Sequence, residues 1–211
     1  AAFREEKGIE PDAPVLLALP GSRTNEVKRL IDLMGKTAAQ VATRHKGLRV
    51  VIPVVPHVQG LVVEAVKDWP IEPVLAFGDD EKRGAFAAAT AAIAASGTVS
   101  LELGLAGIPM VVAYKIDPIA AWSVSRFLKV PTVVLVNLIL DRPAVKEFLQ
   151  HNCKSEDLSA ALIPLIGDTE ERRRALLDLA EMGELMGVGG PSPSTRAANV
   201  VLEMLGEKPI A

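Results

Sequence analysis

The chain has 211 residues, 49% of them hydrophobic, which is ample for one buried core and makes a single α/β domain the first expectation. Lys and Arg number 23 against 26 Asp and Glu, a net charge of -3, with no basic block and only eight aromatic residues (five Phe, two Trp, one Tyr), so nucleic acid is excluded as an expected partner. The one cysteine, Cys153, excludes an internal disulfide and a multi-cysteine metal site and fits a reducing compartment, while His45, His57 and His151 lie far apart, without metal-ligand spacing, and read as surface or packing residues.

The opening AAFREEKGIEPDAP lacks the charged-then-apolar order of a secretory segment, and no apolar run reaches the roughly 18 residues that span a membrane. This stretch reads as a helix tail and linker, so Ala1 is expected to be a cut point in a longer protein. Val15–Leu19 (VLLAL) is apolar on both faces and suits an inner parallel strand. The corner PGSRTNE follows, with Thr24 or Asn25 as a cap, and then a helix over 26–45 whose Val27, Leu30, Ile31, Met34, Ala38 and Val41 form the buried stripe. Arg23 stands in that corner, where a guanidinium can grip a phosphate through two bonds or simply be solvated. Neither G-x-x-x-x-G-K-[ST] nor G-x-G-x-x-G occurs. Residues 48–55 read as the second strand with Pro53 near its end, 58–69 as a helix, and 73–77 as the third strand. Asp79 and Asp80 are expected to cap a helix over 81–89, ahead of a reading as a metal pair.

Residues 91–114, AAIAASGTVSLELGLAGIPMVVAY, read as strand, small-residue corner, short helix and strand, with Pro109 breaking the chain before the last. Gly97 removes a side chain where a ligand comes closest. Helix N–H groups at Ser96-Gly97-Thr98 suit a phosphate, and Glu102, one turn on, can accept from two vicinal hydroxyls as on a ribose. The plain alternative is an ordinary strand–turn–helix corner. Residues 117–130 (DPIAAWSVSRFLKV) read as a helix that faces the core, or else touches lipid or a partner through Trp122 and its basic neighbours. Residues 132–135 read as the sixth strand, ending at Asn137, a polar residue that needs a partner from protein or ligand. Asp141 is expected to cap a helix over 143–151. Helices follow at Ser155–Ile166 and 169–187, then a Gly/Pro/Ser-rich loop, and a last helix over 195–205 capped by Ser194.

Six short strands alternating with helices call for a Rossmann-like, doubly wound parallel sheet, in which ligands bind beyond the carboxyl ends of the strands. Arg23, Ser96 to Thr98 and Asn137 are all expected at that edge, which favours a nucleotide site.

Three segments in this order, LALPGSRTNEV, AASGTVSLELGLAGIPMVVAYK and LVNLILDRPAVKEFLQ, resemble the C-terminal half of the lipid-A-disaccharide synthases, and the resemblance covers about residues 15–205. It implies the C-terminal, donor-binding domain of a GT-B glycosyltransferase of bacterial lipid A biosynthesis, cytoplasmic and peripheral on the inner membrane. That family transfers diacylglucosamine from UDP to diacylglucosamine 1-phosphate (lipid X), with no cofactor or tightly bound metal. The resemblance assigns Gly21, Ser22 and Arg23 to the donor, Arg23 at the diphosphate. It places backbone N–H groups of Ser96, Gly97 and Thr98 there too, Glu102 on the ribose, and Asn137 and Arg142 in support near the sugar or phosphate. Val136 before Asn137 and Asp141 before Arg142 depart from the family pattern. Residues 1–14 are then a linker or helix tail from an absent N-terminal domain that carries the catalytic base, 15–190 the UDP-sugar-binding domain, and 191–211 a C-terminal helix that packs on the absent domain or a partner subunit. This chain alone is expected to bind UDP and turn over little. The competing readings are another UDP-sugar enzyme on the same fold, such as a UDP-N-acetylglucosamine epimerase, and a non-catalytic nucleotide-binding module.

Overall fold

The computed structural model describes residues 2–115, 132–206 and 208; the expected helix over 117–130, with Trp122, lies outside them. Six strands form one sheet: β1 (Val15–Leu19), β2 (Arg49–Val54), β3 (Val74–Phe77), β4 (Ala91–Ala95), β5 (Met110–Tyr114) and β6 (Lys146–Leu149). Every pairing is parallel and the order is β3-β2-β1-β4-β5-β6, the doubly wound arrangement. β1 and β4 are buried along their whole length at the centre, which is why they read as unbroken apolar runs. Pro53 sits one residue from the end of β2, opposite Ala76, as its missing donor requires.

The two-residue period of the strands divides the core in two. Leu16, Ala18, Val50, Ile52, Ala91 and Ile93 face one layer, made by α2 (Thr24–Ala42), α3 (Gln59–Ala65) and, further along the chain, the helix Ser155–Ile166. Val15, Leu17, Val51, Ala92, Ala94 and Val112 face the other. That layer holds α4 (Gly78–Ala88), α5 (Val99–Leu105), α6 (Leu135–Leu140) and, beyond α7 (Ser155–Ile166), α8 (Glu170–Met186). In α2 the predicted stripe is buried throughout, and each large side chain contributes on the order of 1.5–3 kcal/mol. Thr169 caps α8 by accepting from the Arg172 N–H at 3.0 Å, and Gly187 ends it with left-handed backbone.

The first residues are docked. Ala2–Glu6 form a short helix, α1 in chain order, whose Phe3 is buried against α4. Arg4 donates to the carbonyls of Glu10, Ala13 and Ala88, and Lys7 pairs with Glu81 of α4 at 2.7 Å.

Five local expectations are corrected. Arg23, not Thr24 or Asn25, is the N-cap of α2, because the Glu26 carboxylate three residues on accepts the Arg23 backbone N–H. α4 begins at Gly78, so Asp79 and Asp80 lie in its first turn; Glu81 takes the capping bond, accepting from the Phe77 N–H at 2.8 Å. Residues 132–134 are not a strand, and the apolar run after them is α6; the sixth strand comes later, inside the stretch read as a helix. Asp141 accordingly ends α6, with φ +51, rather than starting a helix. Finally, Ser192 and not Ser194 caps α9 (Pro193–Met204), its hydroxyl accepting from the Thr195 N–H.

Candidate functional site

The connections out of β1 and β4, neighbours at the sheet centre, leave toward opposite layers: α2 follows β1 and α5 follows β4. A crevice opens where two such connections diverge. It is a cavity of about 620 Å3 at the carboxyl ends of β1 to β4. Gly21, Ser22, Arg23, Ser96, Gly97, Thr98 and Glu102, from two distant stretches of chain, all line it.

On the β1 side the Arg23 side chain is 81% exposed, lines the cavity and is held from one nitrogen by Glu26 Oε1 at 2.7 Å. His57, in the turn Pro56–Val58, contacts the Ser22 carbonyl through Nε2. On the β4 side Gly97 has φ +153, and a Cβ built there meets nothing within 4 Å, so the corner stays open to a ligand. The Ser96 hydroxyl is engaged with the Val133 carbonyl at 2.8 Å, and Ser100, fully buried, donates to the Gly97 carbonyl at 2.8 Å. What the corner offers a ligand is therefore backbone rather than the Ser96 side chain. Glu102 sits one turn into α5 and pairs with Lys82 of α4 at 2.7 Å.

Asn137 and Arg142 are not among the residues that line this cavity. Asn137 is 3% exposed; its amide donates to the Val145 carbonyl at 2.9 Å and the Thr132 hydroxyl at 3.3 Å, and its Oδ1 accepts from the Val145 N–H at 2.7 Å. It thus meets both main-chain groups of the residue that precedes β6. Arg142 pairs with Asp178 at 2.7 Å and with Glu181, both on α8, and the bond from its guanidinium holds the Glu181 carboxyl below its ordinary range. Its neighbours line a second cavity, about 450 Å3, at the amino edge of β5 and β6.

Sequence reasoning missed Lys82, Glu26 and Asp79 in the larger cavity. Asp79 read as a helix cap and Lys82 as one residue of the helix after it; the only signal was their position in the first two turns after a strand. Cys153 is buried, and burial pushes its thiol up, away from nucleophilic chemistry. Among the described residues no three His, Cys, Asp or Glu are grouped to hold a metal ion.

A family model described as lipid-A-disaccharide synthetase matches residues 1–190. A lipid-A-disaccharide synthase of Rhodospirillum centenum is 44% identical over 209 residues, which are 99% of this chain and 52% of that relative. The chain spans about half the length of the curated relatives it matches. Among solved structures, the spinosyn rhamnosyltransferase SpnG aligns over 97% of this chain and 48% of its own, with a TM-score of 0.60 at 16% identity. WaaG, a glycosyltransferase involved in lipopolysaccharide biosynthesis, aligns over 95% of this chain and 50% of its own, with a TM-score of 0.57 at 15% identity. At those identities the likeness is one of fold: a Rossmann-like domain of the GT-B type.

Proposed function

The chain belongs to the lipid-A-disaccharide synthetase family, and from that premise we propose that it supplies the donor-nucleotide site of a glycosyltransferase of lipid A biosynthesis. The reaction moves 2,3-diacylglucosamine from UDP to 2,3-diacylglucosamine 1-phosphate, giving the lipid A disaccharide phosphate and UDP. The observation that carries this reading is the convergence of two stretches, 21–23 and 96–102, on one cavity at the switch point of the sheet.

In this account Arg23 and the backbone of Gly21, Ser22 and Ser96 to Thr98 hold the diphosphate, and Glu102 accepts from the ribose hydroxyls. As the acceptor hydroxyl attacks the anomeric carbon, the bond from that carbon to the phosphate oxygen breaks. The charge left on UDP is met by Arg23 and the amides of the corner. The proton of the attacking hydroxyl goes to a base in the part of the relatives' length that this chain does not span. Asn137 and Arg142 support the site from outside the cavity, by fixing the turn between α6 and β6. The exposed Val200, Val201 and Met204 of the last helix, with Leu205 at its end, suit packing on that remaining part or on a partner subunit. A reaction between two lipid-anchored sugars supports a location at the cytoplasmic face of the inner membrane; among the described residues no helix is long and apolar enough to cross one.

The test is a calorimetric titration of the chain with UDP, with CDP as the base control and Arg23→Ala beside the parent. Saturable binding of UDP in preference to CDP, weakened about tenfold or more in Arg23→Ala, is the expected result. Equal binding of both nucleotides by parent and variant contradicts the assignment.

A further inference from the structure

Lys82 stands in the second turn of α4 and reaches across to α5, where its ammonium donates to Glu102 Oε2 at 2.7 Å. Both side chains line the large cavity, and both are partly in water, 40% and 47% exposed. Lys82 is itself held: the Phe86 ring, one helical turn further along α4, lies with its centroid 5.5 Å from the ammonium, within cation–π range. Glu102 has no such support from its own helix, which is only seven residues long. A glutamate has three rotatable side-chain torsions, and at the mouth of an open cavity it samples many of them unless something fixes it. The ammonium fixes it from one side and occupies one of its two oxygens.

We propose that Lys82 is a positioning residue for ribose recognition: by holding Oε2 of Glu102, it presents the remaining acceptor capacity of that carboxylate to the vicinal hydroxyls of a nucleoside diphosphate. The proposal rests on the reading of Glu102 as the diol acceptor. The carboxylate accepts only, and the two hydroxyls supply the donors it lacks once Lys82 has taken one oxygen. Discrimination between ribose and 2′-deoxyribose then depends on Lys82, although Lys82 touches neither.

The experiment compares dissociation constants for UDP and 2′-deoxy-UDP in the parent chain and in Lys82→Met, Lys82→Arg and Glu102→Ala. The parent is expected to favour UDP by about tenfold, the scale of a hydrogen bond to a charged group. Glu102→Ala and Lys82→Met are both expected to bring that preference below about threefold, and Lys82→Arg, which keeps a donor for Glu102, to restore it. If Lys82→Met weakens both nucleotides equally and keeps the ribose preference, Lys82 contacts the diphosphate instead and the proposal is overturned alone. A parent with no ribose preference, or a preference that survives Glu102→Ala, overturns the diol reading and this proposal with it.

Discussion

Gly21 has φ +111, and a Cβ built on it lies 2.5 Å from Glu26 Oε2. The glycine is therefore needed twice, for its backbone angle and for the approach of the carboxylate that caps α2 and holds Arg23. Asn137 is the other residue whose role turns on geometry. It meets the N–H and C=O of Val145 where both are buried, so Asn137→Ala leaves two main-chain groups without a partner. We predict a loss of about 2–4 kcal/mol of unfolding free energy, read from urea titration. An Asn137→Ala chain of unchanged stability that has lost UDP binding would contradict this and return Asn137 to the ligand. At this scale Arg23 and the stretch 96–102 were legible as lining that edge because each marks a strand end followed by a helix start, a local signal, whereas Gly21 and Ser22 came with the family resemblance. The partner of Asn137 was not legible: a buried amide needs a partner, but nothing local says that it is the main chain eight residues on.

Among the elements, the stretch from 132 to 149 shows where sequence patterns run out. The run VVLVNLIL is β-branched and apolar, and a short apolar run is read equally well as strand or buried helix. Burial of Val136 and Leu140, four apart on one face, settles it as helix α6. β6 looked helical because Asp141-Arg142-Pro143 resembles a helix start; it is an edge strand, paired on one side only, and so tolerates Lys146 and Glu147. The docking of α1 was also hidden, because it depends on Lys7 and Glu81 meeting across 74 residues. The Lys7 ammonium, and after it the Phe77 N–H, hold the Glu81 carboxyl below its ordinary value near 4.5. The same bond raises Lys7 above its ordinary 10.5. A lowered carboxyl stabilises fully above its unfolded value and loses the effect as pH falls through its folded value; a raised ammonium loses it only in strong alkali. The stability difference between the parent and Glu81→Gln is thus expected to be constant from about pH 6 to 9 and to shrink toward zero below about pH 4. Urea midpoints across that range check it, and an undiminished difference at about pH 3 would contradict it.

On the scale of the whole molecule, the doubly wound sheet divides labour between its two edges. The carboxyl edge of β1 to β4 carries the 620 Å3 cavity with Arg23 and Glu102, while the amino edge of β5 and β6 carries the 450 Å3 cavity beside the Arg142 ion pairs. The sheet and its order followed from alternating strand and helix patterns, and with them the edge at which a ligand binds. That Glu26, Asp79 and Lys82 line the cavity at that edge follows only from the packing of α2, α4 and α5 around one crevice. Binding of UDP in that crevice is tested by an amide correlation spectrum of the isotope-labelled chain titrated with UDP. Saturating shifts at Gly21, Ser22, Arg23, Gly97, Thr98 and Glu102, with Met110, Lys146 and Asp178 unmoved, are the predicted result. Shifts gathered at Met110, Lys146 and Asp178, with the two corners silent, would contradict it.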